Sequence, residues 1–389
     1  MIPGLRLPSA ILLPVLEWRA RRIADPVERL RFLRRATSAG ARPGRRKSAR
    51  GRSLALILFV VLLLAPVLPN SDANVPTIGR AAGIPPAASA PDRLPDVWLV
   101  EKTGTQELYS NGLRIETGFT VAGLPRAYRV FDRQRREETG EERSTPAGIV
   151  FHTTESHLAP FQAEQNRQLK QIGEALVEYV RRNRCYHYVI DRFGRVWRVV
   201  RETDVADHAG YSVWADSQWL YVNLNHSFLG VSFEAQTRAG QADSEATPAQ
   251  LLAARLLTGM LRGKYRIPAA DCVTHAQVSV NPRNLRIGYH TDWAGNFPYA
   301  GLGLADNYDR PVAALWAFGF TYDPAYLHST GSRLWQGLSR AEEQLRQEAT
   351  AHGVGVALYR KTLHGRYQAI LKTLGQPGAS EEKDDHEAQ

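Results

Sequence analysis

The stretch GIVFHTTES, residues 148–156, runs through small and apolar residues and then places a histidine among polar ones. A short apolar run bounded in this way reads as a buried strand, and the next side chains emerge at a sheet rim. Working outward, AEQNRQLKQIGEALVEYVRRN (163–183) reads as a helix, and YHYVIDRFGRVWRVV (186–200) as two strands about an Arg192-Phe193-Gly194 turn. FLGVSFEAQ (228–236) is a further strand. In TPAQLLAARLLTGMLRGKY (247–265), Thr247 is placed to cap a helix and Pro248 to open it, with Leu252, Leu256 and Met260 on one face. A strand around CVTHAQ (272–277) follows. Strands alternating with helices predict an α/β or α+β domain over residues 145–305.

On either side the character changes. Residues 96–144 hold short runs such as VWLVE and AYRVFD, with Asn111-Gly112 as a hairpin turn, and read as a small β-rich lead-in. Residues 306–378 read as a helical extension, with Ser339 and Glu342 as a capping box and Gly353 as a stop. Residues 379–389 are a charged, solvated tail, and residues 70–95, rich in Pro, Ala and Ser, read as a linker.

The formal net charge of +10 suggests a polyanion partner until it is located. Residues 1–52 carry 14 Lys/Arg against three acids, so the rest of the chain has a net charge of −1. A nucleic-acid surface is therefore not expected on the globular part. The basic leader ends where LALILFVVLLLAPVL (54–68) begins, without a charge. Basic residues before an apolar run favour a cytoplasmic amino terminus, so residues 53–69 read as a signal anchor with the rest of the chain exported. Cleavage near Ser71 and Ala73, giving a secreted protein, is the competing reading. Cys185 and Cys272 are too few for a disulfide framework, and whether they pair stays open.

Of 11 histidines, seven lie between residues 152 and 290. His152 ends a strand, His275 lies just past another, and His290 and Asp292 share the Gly/Asn/Pro-rich loop RIGYHTDWAGNFP (286–298). Two imidazoles and a carboxylate with one open position make a catalytic zinc site, which activates water for hydrolysis. Spacing alone leaves open whether His290 or Asp292 completes it.

GIVFHTTES, YHYVIDRFGRVWRVV, DHAG, NHSFLGVSFE, TPAQLLAARLLTGMLRGKYRIPAADCVTHAQ and YHTDWAGNFP occur in the order and approximate spacing of the zinc-dependent N-acetylmuramoyl-L-alanine amidases. That group includes phage amidases and peptidoglycan recognition proteins. The resemblance covers residues 145–300 and implies a mixed central β-sheet flanked by helices, with zinc in a groove. It implies His152, His275 and Asp292 as the zinc ligands and peptidoglycan or muropeptides as the partner. It further implies Glu234 as general base, Tyr186 as a group steadying the oxyanion, and His208, Thr153 and Asn225 as substrate contacts. His187 is read as structural.

Two departures stand out. The spacing from His275 to Asp292 is 17 positions, where about ten is usual, so the intervening loop is extended. His290 stands where many relatives have lysine, and a histidine in that role predicts activity that depends on pH near neutrality. The implied reaction is hydrolysis of the amide between the muramyl lactyl group and L-alanine. A non-catalytic peptidoglycan-binding module and an envelope scaffolding protein are the alternatives. Trp197, Trp214, Trp219 and Trp293 are read as core packing before groove lining.

Overall fold

The structure, a computed structural model, describes residue 94 and residues 96–237, 246–331 and 333–375. The basic leader, the apolar segment at 54–68, all but one residue of the linker, and the charged tail lie outside the described residues. Among the described residues no helix is long and apolar enough to cross a membrane.

The strands are β1 (Leu99–Lys102), β2 (Gln106–Tyr109), β3 (Arg114–Glu116), β4 (Tyr128–Asp132), β5 (Glu138–Arg143), β6 (Gly148–Thr153), β7 (Tyr188–Ile190), β8 (Val196–Arg198), β9 (Val213–Ala215), β10 (Trp219–Val222), β11 (Phe228–Phe233), β12 (Cys272–Thr274), β13 (Val280–Asn281) and β14 (Arg286–Ile287). Eight form the main sheet, in the order β1-β2-β3-β8-β7-β11-β6-β12. The sheet is mixed: β12, β6, β11 and β7 run parallel, while β8 folds back antiparallel on β7. All six residues of β6 are buried, as a strand covered on both faces must be. The lead-in strands build no sheet of their own. β1 to β3 extend the main sheet through a parallel β3–β8 pair, and β4 with β5 joins β10 and β9 in a second sheet.

Helix α1 (Asn166–Asn183) buries Leu169, Gly173, Leu176, Val177 and Val180 on one stripe, against Val189 and Trp197. Helix α2 (Pro248–Tyr265) covers the opposite face, packing against Phe151, Ile190, Val231 and Phe233, which alternate with Val189 along the pleat. Thr247 caps it, with Gln250 returning the hydrogen bond. Gln250 also donates to the carbonyls of Ile190 and Glu234, which fixes the helix's rotation. The buried face is therefore Ala253, Ala254, Leu257, Met260 and Leu261, whereas Leu252 is 61% exposed, not part of an inward face with Leu256 and Met260.

Beyond residue 305 come α3 (Ala313–Phe318), α4 (Pro324–Thr330), α5 (Arg333–Ala351) and α6 (Val356–Thr373). Most of their buried side chains share one core with Phe131, Leu220 and Val222 of the second sheet, while Leu345, Ala349, Tyr359 and Leu363 form a small separate core between α5 and α6. The capping box at Ser339 is not there. Leu334, Leu338, Ala341 and Leu345 continue one buried stripe, so α5 runs straight through Ser339, and Glu342 instead pairs with Arg360 of α6. Gly353, in the left-handed region, does follow the helix end. Cys185 and Cys272 do not form a disulfide.

Candidate active site

The parallel register sets the site. His152 is paired with Ser232 on β11, and Thr274, paired with Phe151, brings His275 to the same level one strand away. A single helical turn, His275–Val278, starts there, so the chain leaves the sheet at the second histidine. The ligand loop then returns along the hairpin of β13 and β14, and the Ala276 N–H donates to the Asp292 carbonyl at 3.2 Å. The Asp292 carboxylate thereby enters between the two rings. Its Oδ2 lies 3.3 Å from His152 Nδ1 and its Oδ1 3.0 Å from His275 Nδ1.

These three residues are the one group of metal-capable side chains among the described residues, with their ligand atoms all within 4.8 Å of one another. All three are buried. Zinc bonds of about 2.0–2.1 Å put neighbouring tetrahedral ligands about 3.3 Å apart, so the carboxylate–imidazole distances suit the ion. The charge suits it as well. Burial works against the Asp292 carboxylate, yet His275, with His152 beside it, holds it well below the usual carboxylate range. Burial and His275 push the His152 imidazole down to about 4, the neutral form a metal requires. The buried Nε2 of His275 and Oγ of Ser232 have no hydrogen-bond partner among the described residues.

His290 stands outside the trio. Its ring stacks on His275, with centroids 4.6 Å apart, and its backbone N–H donates to Ser279 Oγ. Burial and the neighbouring His275 push its imidazole down to about 4. That direction runs against the expected charge switch near neutrality. Tyr289 beside it is 56% exposed, an aromatic at the rim that the sequence did not single out.

His208 meets the metal group, not open space. Its Nδ1 lies 3.1 Å from His152 Nε2 and its Nε2 lies 3.3 Å from the Phe228 carbonyl. A carbonyl only accepts, so His208 carries its proton on Nε2 and accepts from His152 at Nδ1, leaving the His152 Nδ1 that faces Asp292 bare. Such support for a ligating imidazole fixes its tautomer and orientation. His208, read from the sequence as a substrate contact, is 8% exposed and meets His152. Asn225 is likewise committed. Its Oδ1 accepts from the N–H groups of His208, Ala209 and Gly210, holding the loop that presents His208. Thr153, 3% exposed, donates to Glu155 Oε1 at 2.5 Å and lies 3.1 Å from Thr237 Oγ1.

Tyr186 sits with its ring 5.1 Å from that of His152, and burial, then Asp292, pushes its hydroxyl up. Glu234 accepts from the Arg192 N–H at 3.1 Å. Burial raises its carboxyl to about 7, against the hydrogen bond from Arg192, and the charges acting on it belong to Asp191, Arg192 and Arg195. None of these is in the trio. Glu155, in the left-handed region, accepts at Oε1 from Thr153 and from the Thr237 N–H, and burial, with a smaller push from Asp292, raises its carboxyl. Its only sequence signal is its place three residues after His152. His187 is buried between Arg126 and the Gly230 N–H, a structural residue as expected. Trp197, Trp214 and Trp293 are core residues, and Trp219 is half-buried under Arg143.

Residues 142–293 match a family model described as N-acetylmuramoyl-L-alanine amidase. No curated protein matches the chain significantly. Among solved structures, the amidase LysC from Clostridium intestinale is 21% identical, covering 41% of this chain and 83% of its own, with a TM-score of 0.25. AmpDh3 from Pseudomonas aeruginosa, in complex with an anhydromuramic pentapeptide, is 21% identical over 52% of this chain and 86% of its own, with a TM-score of 0.35. AmiD from E. coli, in complex with an anhydro-N-acetylmuramic acid peptide, is 18% identical over 64% and 99%, with a TM-score of 0.32. With the motifs in order and the metal-capable trio assembled on one sheet edge, residues 142–293 constitute a domain of the N-acetylmuramoyl-L-alanine amidase family.

Proposed function

We propose that the chain is a zinc-dependent hydrolase that cleaves the amide between the lactyl group of muramic acid and L-alanine in peptidoglycan or muropeptides. The observation that carries this reading is the buried His152, His275 and Asp292 group, in which the carboxylate meets two imidazoles and, among the described residues, pairs with no Lys or Arg. Zinc there would supply a Lewis acid and a water of lowered pKa. His152 and His275 bind as neutral imidazoles, and His208 keeps the His152 proton on Nε2. Glu155 takes the base role that the resemblance gave to Glu234: it lies three residues after His152, and its Oε1 is held by Thr153 and the Thr237 N–H, which leaves Oε2 to accept a proton. Tyr186 and the neutral His290 flank the trio as hydrogen-bond donors toward the developing oxyanion. On the strength of the leader and the apolar segment at 54–68, the domain works outside the cytoplasm.

The test is digestion of purified sacculi by the zinc-loaded full chain, with mass spectrometry of the products. Free stem peptides and peptide-free glycan are expected. Bound sacculi without release would instead mean a binding module. Glu155→Gln should lower kcat by about 10²–10⁴ and Glu234→Gln should not. Asp292→Ala should abolish zinc binding and His290→Ala should keep it.

A further inference from the structure

The ligand loop is held from outside the family-matching stretch. Tyr326 of α4, 3% exposed, donates its hydroxyl to the Ala276 carbonyl at 2.6 Å, one residue after His275. Tyr308, 1% exposed, donates to the Trp293 carbonyl at 2.6 Å, one residue after Asp292, and accepts from the Phe297 N–H at 2.9 Å. Each of the two later metal-capable residues is thus followed by a carbonyl tied to a buried tyrosine from beyond residue 305. The Tyr326 ring also fills the space over Gly288, two residues before His290, where a Cβ would collide with it. The same region adds backbone to the loop: the Ile287 N–H donates to the Thr321 carbonyl at 2.9 Å, and the Thr321 N–H to the Leu285 carbonyl at 3.0 Å.

We propose that Tyr326 and Tyr308 are positioning residues, which set the separation of His275 and Asp292 and so make the C-terminal helical region part of the metal site. The extended loop between the two ligands explains the need. Its 17-position span leaves more conformations to restrict than a shorter connection would, and ligand geometry must be held to within a few tenths of an ångström. Hydroxyls fixed in a packed helical layer supply that restraint at the two residues where it acts on the ligands themselves. The Ala276 N–H to Asp292 carbonyl bond couples the two anchor points. The proposal rests on zinc binding by the trio, but the restraint exists in the metal-free chain as well.

The test uses the full chain, with two readouts: zinc affinity by competition with a chromophoric chelator, and amide hydrogen exchange over residues 275–297 without metal. Tyr326→Phe and Tyr308→Phe remove one hydroxyl each and keep the rings. Each should weaken zinc binding by about ten- to a hundredfold, as loss of an outer partner does, and speed exchange over that segment. Leu363→Ala, in the separate core between α5 and α6, should lower the melting temperature while leaving both readouts unchanged. Tyr367→Phe, whose buried hydroxyl has no partner among the described residues, should change nothing. Unchanged zinc affinity and exchange in the two tyrosine variants would overturn the proposal, as would an equal loss in Leu363→Ala. If the unmodified chain binds no zinc, the metal reading falls, and hydrogen exchange alone still decides the positioning role.

Discussion

Replacing Gly230 with alanine probes the support behind His152 without touching a ligand. Gly230 lies on β11, and a Cβ built there would sit 2.6 Å from His208 Cγ and 2.9 Å from its Nδ1. Ordinary contacts begin at 3.4 Å, so the imidazole must retreat by about 0.8 Å. Its 3.1 Å hydrogen bond to His152 does not survive such a move, because the interaction is gone by about 3.6 Å. Overpacking costs about 1–3 kcal/mol. The stranded buried donor adds about 1–3 kcal/mol. In a strand with room for the methyl, the same change would gain about 0.5–1 kcal/mol, so the sign itself is informative. Together these come to about 2–6 kcal/mol, which at about 2–4 °C per kcal/mol should make Gly230→Ala melt roughly 4–24 °C lower. Zinc affinity should fall by about 10–100-fold. Adding His208→Ala removes the two ring contacts but leaves the His208 Cβ 2.9 Å away, so it should restore only part of the melting temperature while leaving zinc binding weak. A Gly230→Ala chain that melts with the unmodified protein and holds zinc equally well would refute the His208 support of His152.

Two further substitutions test the α1 side of the groove. Glu234 is 3% exposed, with its carboxyl raised from 4.5 to about 7. The folded chain therefore keeps a proton that the unfolded chain gives up, and stability falls as pH rises from 4.5 through 7. The full cost above that range is about 3 kcal/mol. Glu234→Gln should match the unmodified protein at pH 4 and gain progressively up to pH 8 in urea denaturation, and a pH-independent difference would contradict this. Gly173 lies inside α1, where a Cβ would meet Glu234 Oε2 at 3.6 Å, an ordinary contact. Gly173→Ala should stabilise the helix by about 0.5–1 kcal/mol, and a lower melting temperature would show that the groove wall has no room there.

What the sequence made legible was local or periodic. The strand ending in His152, the turn at Arg192-Phe193-Gly194, the hairpin at Asn111-Gly112 and the cap at Thr247 each announce themselves within a few residues, and each is present. The metal-capable trio was legible through motif order, since spacing alone left His290 and Asp292 competing. Facing was not legible. Glu234 and Glu155 are both carboxylates beyond a strand end, and only the fold ties one to the Arg192 N–H and the other to Thr153 and the Thr237 N–H. Asn225 and His208 carry polar groups suited to substrate, and the structure commits them to backbone amides and to His152. The Ser339 cap failed because a buried stripe starting at Leu334 outweighs a local capping signal.

The motif-bearing stretch supplies the ligands, and residues on either side of it reach the groups that support them. On the β11 side, His152 leans on His208 and His208 on the Phe228 carbonyl. That carbonyl also accepts from the buried guanidinium of Arg126, which reaches His187 as well. Arg126 precedes the family-matching residues. On the loop side, Tyr308 and Tyr326 follow them. A carbonyl polarised by a guanidinium and a carbonyl gripped by a phenol do the same mechanical work: each denies a ligand-bearing segment the freedom to rotate. The chemistry of the site is therefore written in residues 142–293, while its tolerance is set by a lead-in and an extension that carry no motif. The C-terminal helices bury their apolar faces on the second sheet and reach the ligand loop through the Thr321 backbone and the Tyr326 hydroxyl.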